Sequence, residues 1–333
     1  MKRILPLLLI VAFALALLAG CGQATEDAAT SQTEPDGQAG GDKLQVVSAL
    51  FPGYDFAREI GGEQIALSML LPPGAESHSF EPTLQDILTL QSCDVFIYVG
   101  GESDTWVDGV LASMDTTNMT ILAMMDLVEV VEEELKEGME EESHDHDSGE
   151  DEDPEEETEY DEHVWTAPAN AIRITRAITD TFCALDEDNA DTYTAACAAY
   201  TAQLEELDAG FRQVVEAGAR STLIFGDRFP FRYFVDAYGL DYFAAFPGCS
   251  SETEASAKTV AFLIDKVSDE GVPVVFYIEF SNGKIADTIC EGTGAKKLLF
   301  HSCHNVTKDE FESGVSYLSL MTQNMESLKE ALA

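Results

Sequence analysis

The chain has 333 residues, and 45% of them are hydrophobic, so it can bury sizeable cores and wholesale disorder is excluded. Its 62 acidic and 18 basic residues give a formal net charge of -44, which argues against nucleic-acid binding and against electrostatic binding to anionic lipid. The length favours two domains, and the acidity favours cationic partners.

The N-terminus has the features of a signal peptide, predicted over residues 1–20. Two basic residues precede an apolar run, Ile4 to Leu18, that is too short for a comfortable transmembrane helix. Small residues stand directly before Cys21, as in a bacterial lipoprotein lipobox, which predicts cleavage there and acylation of the Cys21 thiol. Residues 21–42 contain almost no large apolar side chain and are predicted to be a flexible tether. The signal peptide and the acylated cysteine together predict that the chain lies outside the cytoplasm, anchored to the cell membrane.

Residues 43–166 alternate short apolar runs with helical periods, which predicts an α/β lobe. The expected strands are Leu44–Leu50, Ile65–Leu71, Val95–Val99 and Thr120–Met125, and the expected helices are Tyr54–Ile60, Thr83–Gln91 and Asp104–Ser113. Near-continuous apolar strands separated by helices indicate a mainly parallel sheet covered on both faces.

Residues 219–333 repeat this pattern and predict a second α/β lobe. The expected strands are Thr222–Phe225, Tyr242–Phe246, Pro273–Phe280 and Lys297–His301, and the expected helices are Phe231–Tyr238, Glu254–Ser268, Lys284–Glu291 and Phe311–Ala331.

Residues 167–218 form an Ala-rich stretch between the lobes. It is either two helices with a break near 186–191 or one rigid rod of about 65 Å joining the lobes, and we favour the rod. Two open α/β sheets facing each other create a cleft at the carboxyl ends of their strands, where ligands usually bind.

Three histidines fall at element ends that face this predicted cleft. His78 follows a predicted strand, His163 precedes the long helix, and His301 closes the last strand. Since neutral imidazole is a common zinc ligand, this placement predicts a metal site in the interlobe cleft.

The acidic stretch 129–162 contains His144 and His146. Charges of one sign at this density keep a segment extended, so it is either a solvated loop that aids solubility or an accessory low-affinity metal loop, and both roles are compatible. The six cysteines after Cys21 show no CxxC spacing, which favours free thiols.

The segments PPGAESHSFEPT (72–83) and DEHVWTAPANA (161–171) make the chain resemble the metal-binding lipoproteins of zinc and manganese ABC transporters. Three later segments fit the same order: YFVDAYGL (233–240), SETEASAKTVAFLIDKV (251–267) and YLSLMTQNMESLKEAL (317–332). The resemblance implies two α/β lobes joined by a long helix, a metal ion between them, and His78 and His163 as ligands.

Two ligand positions depart from that family pattern. Five residues before Tyr233, where the family has His or Glu, this chain has Arg228, which has no lone pair to offer a cation. Asp227 could substitute, or Arg228 could lie outside the ligand shell and pair with Glu279. The fourth position matches His301, with His304 as a rival, and Asp227, Glu279 or water would complete the shell.

A site with three imidazoles favours zinc over manganese. We therefore expect a monomeric lipoprotein that binds Zn²⁺ as its transported ligand and delivers it to an ABC-type permease. The alternatives are a manganese-binding homologue, with Mn²⁺ as the ligand, and a metal-stabilised surface adhesin. An enzyme is not expected, because a zinc hydrolase motif such as HExxH and a GxSxG nucleophile elbow are both absent from the sequence.

Overall fold

Two parallel sheets of four strands each, with helices around them, form the two lobes of the protein. The structure, a computed structural model, describes residues 43–76, 80–140, 159–250 and 254–333. The expected α/β fold with two lobes and a long helix is confirmed. Cys21, His78, His144 and His146, together with the predicted signal peptide and tether, lie outside the described residues.

The N-terminal lobe is built on the strand order β2-β1-β3-β4. Its strands are β1 (Leu44–Ser48), β2 (Ile65–Met69), β3 (Val95–Tyr98) and β4 (Thr120–Ala123), and its helices are α1 (Phe51–Gly61), α2 (Leu84–Gln91) and α3 (Thr105–Ala112). Val46 of the central strand lies between Leu67 and Val95, and adjacent residues Val46 and Val47 are both buried. Burial on both faces explains the continuous apolar run that predicted a parallel sheet.

The expected single rod over residues 168–217 is wrong, because the chain forms two helices there. They are α4 (Pro168–Leu185) and α5 (Ala190–Ala217), and they pack against each other. The break lies at Asp186 (φ -136°, ψ 74°), whose carboxylate accepts hydrogen bonds from Asn189 Nδ2 at 2.8 Å and from Tyr193 Oη at 2.7 Å. Asp and Asn compete with helical backbone bonding through such local contacts. The 28-residue α5 is thus the long helix.

The C-terminal lobe has the strand order β6-β5-β7-β8. Its strands are β5 (Thr222–Phe229), β6 (Asp241–Pro247), β7 (Val274–Tyr277) and β8 (Lys296–Leu299), and its helices are α6 (Arg232–Tyr238), α7 (Ala257–Glu270), α8 (Lys284–Thr293), α9 (Lys308–Ser313) and α10 (Tyr317–Leu332). The helix expected over 311–331 is divided, because Gly314 (φ 76°) ends α9 and the Ser316 side chain caps α10. Helix α5 contacts both α1 and α10 and so links the lobes.

The two ends of the acidic stretch are folded, which corrects the expectation of a solvated loop over all of 129–162. Glu132 and Tyr160 form an antiparallel bridge, and Asp161 N donates to Val131 O at 3.0 Å. Further along, Glu140 N donates to Ala245 O of β6 at 2.9 Å. Residues 129–140 therefore run from the N-terminal lobe to β6, the edge strand of the C-terminal lobe.

Two further features of the described residues bear on the expectations. The six cysteines after Cys21 are all free thiols. None of the helices that the structure describes has the length and apolar character needed to cross a bilayer.

A buried carboxylate ties α1 of one lobe to the start of α10 of the other. Asp55 is fully buried, forms an ion pair with Arg58, and accepts a hydrogen bond from Tyr317 N at 2.7 Å. Arg58 also donates to Val315 O at 3.0 Å. Burial raises the pKa of Asp55 to about 7, although Arg58 and the Tyr317 N–H act in the opposite direction.

We expect Asp55 to make the folded protein less stable as the pH rises from 5 to 7. A folded-state pKa above the unfolded value near 3.9 means that the native state binds the proton more tightly, and this advantage is lost as the pH rises through about 7. The Asp55→Asn variant should lack this loss of about 2 kcal/mol between pH 5 and 7. Urea unfolding of the metal-free protein at each pH measures the free energy of unfolding, and Glu63→Gln, at an exposed position, is the control. If the free energy of unfolding depends on pH in the same way in wild type and D55N, Asp55 is not the group responsible.

Candidate metal centre

A small cavity of about 20 Å³ lies between the lobes, at the carboxyl ends of their strands. The ionisable side chains in its lining are Glu76, His163, Arg228, Glu279 and His304. Glu76 follows β2, Arg228 lies near the end of β5, and Glu279 and His304 follow β7 and β8. Parallel strands direct the loops that follow them to one edge of the sheet, so residues far apart in sequence meet here.

His163 is held rigidly just before α4. It is fully buried, its backbone N donates to Asp161 Oδ1 at 2.8 Å, and its ring Nδ1 lies 3.2 Å from the same oxygen. Burial acts to lower the pKa of His163, but Asp161, followed by Glu162 and Glu133, raises it overall. A carboxylate beside one ring nitrogen fixes the orientation of the imidazole, which is the arrangement common in metal-binding histidines.

His304 packs against His163 at nearly a right angle. The ring centroids are 5.0 Å apart, with an interplanar angle of 83°. The Trp165 indole contacts both imidazoles, at centroid distances of 5.6 Å to His163 and 5.0 Å to His304. Its Nε1 donates to Ser302 O at 2.8 Å, so the tryptophan connects the two histidine-bearing segments.

Glu279 adds a carboxylate to the same cavity. It accepts hydrogen bonds from Ser302 N at 2.8 Å and His304 N at 3.3 Å, and also from the Ser302 hydroxyl. These three donors fix the carboxylate beside the loop that carries His304. The two imidazoles and the Glu279 carboxylate thus line one cavity, together with Glu76 and Arg228.

His301 is not in the lining of this cavity, although the sequence predicted it as a ligand. Asn324 of α10 bonds both backbone groups of His301 at 2.7 Å, and the His301 ring Nδ1 accepts the Cys303 N–H at 2.9 Å. Cys303 is a non-glycine residue with φ 62°, and this reversal precedes His304. The structure therefore brings the rival, His304, together with His163. The sequence shows both histidines but gives no signal for a left-handed cysteine between them.

Asp227 lies outside the cavity lining as well, because a bulge in β5 directs it elsewhere. Its Oδ1 accepts the Arg228 N–H at 2.9 Å and its Oδ2 accepts the Ile278 N–H at 3.4 Å. The expected ion pair between Arg228 and Glu279 is wrong. Arg228 Nη1 lies instead 3.2 Å from Glu76 Oε1. The sequence gives no signal for this contact, because it joins residues 152 positions apart.

In the described ranges, 43–76, 80–140, 159–250 and 254–333, no three His, Cys, Asp or Glu side chains are grouped to hold a metal ion. His78 belongs to the short segment 77–79 outside those ranges, two residues after Glu76 of the cavity lining.

The chain is similar to proteins of zinc uptake over nearly its whole length. Residues 46–331 match the family model described as "Zinc-uptake complex component A periplasmic" (ZnuA). The chain is 32% identical over 325 residues to the high-affinity zinc uptake system protein ZnuA of Bacillus subtilis, covering 98% of this chain and 97% of that protein. It is 28% identical over 304 residues to the zinc-binding lipoprotein AdcA of Streptococcus pneumoniae, covering 91% of this chain but only 58% of AdcA.

Among solved structures, the metal-dependent lipoprotein YcdH of Bacillus subtilis superposes with a TM-score of 0.72 at 27% identity, covering 87% of this chain and 99% of YcdH. The family model spans both lobes and the helices between them. The resemblance seen in the two histidine-bearing motifs is thereby confirmed, and the chain belongs to the ZnuA family of zinc-uptake components.

Proposed function

We propose that this chain captures Zn²⁺ outside the cytoplasm and delivers it to an ABC-type metal permease. The observation that carries the proposal is the pair of buried imidazoles, His163 and His304, beside the Glu279 carboxylate in the interlobe cavity. Membership of a zinc-uptake family supports the cargo and the permease, and it confirms the expectation that the chain is not an enzyme.

The proposed ligands are His78, His163 and His304, with Glu279 as the fourth. His78 rests on the resemblance of its motif, and the other three on their place in the cavity lining. Because no three described side chains are grouped to hold a metal ion, zinc would have to draw Glu279 and the two imidazoles closer together. His301 and Asp227 stay predictions from the sequence, and comparison of His301→Ala with His304→Ala tests the first of them. Three nitrogens and one oxygen in a tetrahedral arrangement suit zinc, whereas manganese prefers more oxygen ligands.

The membrane attachment is proposed on the sequence alone. Acyl chains on Cys21 would hold the monomer at the membrane, and residues 22–42 would let it reach the permease. His144 and His146, among many carboxylates, would collect zinc at lower affinity.

Calorimetric titration of the metal-free protein with Zn²⁺ and Mn²⁺ tests the function. We expect one tight zinc site, weaker manganese binding, and further weak zinc uptake from the acidic stretch. Because the pKa of His163 is raised above its ordinary value, protons should begin to compete with zinc for this ring above pH 6.5. As the pH falls further, the zinc affinity should decrease by about tenfold per pH unit for each histidine that titrates. Tighter binding of Mn²⁺ than of Zn²⁺, or no tight site, would overturn the proposal.

A further inference from the structure

Arg228 is a buried cation in the wall of the proposed zinc cavity. Its side chain is 11% exposed and lies in the same lining as His163, Glu279 and His304. A guanidinium has donors but no lone pair, and it stays protonated at any physiological pH. It therefore adds a fixed positive charge to a cavity that has to accept a divalent cation.

A β-bulge brings this side chain into the cavity. Phe225 of β5 pairs with Ala244 of β6, and Arg228 pairs with Phe246, so three steps along β5 match two along β6. A bulge changes which way the following side chains point. Asp227 consequently bonds backbone groups, and the next residue, Arg228, extends into the cavity.

The guanidinium takes a carboxylate from the opposite lobe as its counter-ion. Arg228 Nη1 lies 3.2 Å from Glu76 Oε1 and also donates to Ser250 O at 3.3 Å. Of the two carboxylates in the described lining, Glu76 and Glu279, one is thus neutralised before any metal enters. A cation approaching the cavity meets one effective negative charge from these three residues instead of two.

We propose that Arg228 sets the zinc affinity of this protein at a lower value than its ligands alone would give, by withholding Glu76 from the cation and repelling it. This inference rests on the proposed zinc-binding function and assigns to Arg228 a positioning and charge-tuning role, not a ligand role. A weaker site favours transfer of the ion to the permease, because a carrier has to release its cargo.

The alternative is that the ion pair only braces the N-terminal-lobe loop 72–76. That loop has other fastenings, however. Asn305 Nδ2 donates to Pro72 O and to Ala75 O, both at 2.9 Å, and Gly74 N donates to Val306 O at 2.8 Å. With three bonds independent of Arg228, the loop should keep its place when the guanidinium is removed.

The two roles predict opposite signs for one substitution. Arg228→Gln removes the charge and frees Glu76, so zinc should bind about tenfold more tightly at low salt, and the difference should shrink as salt screens the cavity. Glu76→Gln leaves the guanidinium without its carboxylate and should weaken zinc binding several-fold. A brace would weaken zinc binding in both variants, and without a salt dependence.

The experiment is zinc titration against a competing chelator at low and high salt. Arg228→Lys, which keeps the charge, should show less tightening than R228Q. Arg212→Gln, which removes an exposed ion pair with Asp208 on α5, is the matched control and should bind like wild type. Thermal unfolding of each metal-free variant checks the fold, and E76Q with the salt series decides the matter if R228Q does not fold.

Equal or weaker zinc binding by R228Q, with a tight site in wild type, overturns this inference and leaves the proposed function standing. A wild type without a tight zinc site overturns the proposed function and this inference with it. Tightening in R228Q together with weakening in E76Q establishes the charge-tuning role.

Discussion

Replacing His163 or His304 with alanine is expected to weaken zinc binding by about a hundredfold or more. Four-ligand zinc sites bind with roughly 10–16 kcal/mol, so each ligand accounts for about 3 kcal/mol, which corresponds to a factor of about a hundred. His163 is fully buried with its ring held by Asp161, and His304 lies against it with a centroid separation of 5.0 Å. Within the described part of the chain, these two are the histidines of the cavity lining, so the loss of either leaves one imidazole there.

His301→Ala is the matched comparison, because it removes an imidazole from the same loop. The His301 ring accepts the Cys303 N–H and lies 3.6 Å from Glu279, so its loss should disturb the loop and weaken zinc binding by about tenfold, less than the loss of a ligand. Titration of the three variants at one pH ranks them. If H301A proves more damaging than H304A, the ligand predicted from the sequence is correct and the set proposed from the geometry is wrong.

Most of the fold follows from local patterns that the sequence displays openly. The apolar run Val95–Val99, for example, becomes β3 because a strand buried on both faces must be apolar throughout. The helix break at Asp186 was less visible, since it depends on a carboxylate bonding Asn189 and Tyr193 instead of on Gly or Pro. In an Ala-rich stretch with helical flanks, such a break leaves only a weak signal in the sequence.

The cavity was predictable in kind but not in detail. His163 was found from its motif, and the cleft from the two α/β repeats. The partner of Arg228 and the choice between His301 and His304 depend on contacts between distant segments and on one left-handed residue, Cys303. Neither property is set by the amino acids immediately around it, which is why the sequence left these alternatives open.

Trp165→Ala is expected to destabilise the metal-free protein by about 3–5 kcal/mol and to weaken zinc binding as well. The side chain is fully buried and is among the largest in the core, so its removal leaves a large cavity. It also packs on both His163 and His304. Its Nε1 donates to Ser302 O, and the Ser302 N–H donates to Glu279. Three of the four proposed ligands thus lose a common support.

Trp165→Phe separates these two effects. The ring fills most of the space but lacks the indole N–H, so the loss of stability should be about 1–2 kcal/mol, while zinc affinity should still fall about tenfold as Ser302 loses its donor. Trp106→Phe, in a half-buried position against Phe80 and Phe96, is the control and should change stability without changing zinc affinity. Urea unfolding and zinc titration of the same preparations measure both quantities. Unchanged zinc affinity in W165F would mean that the histidines and Glu279 hold their places without the indole, and that the tryptophan serves the core alone.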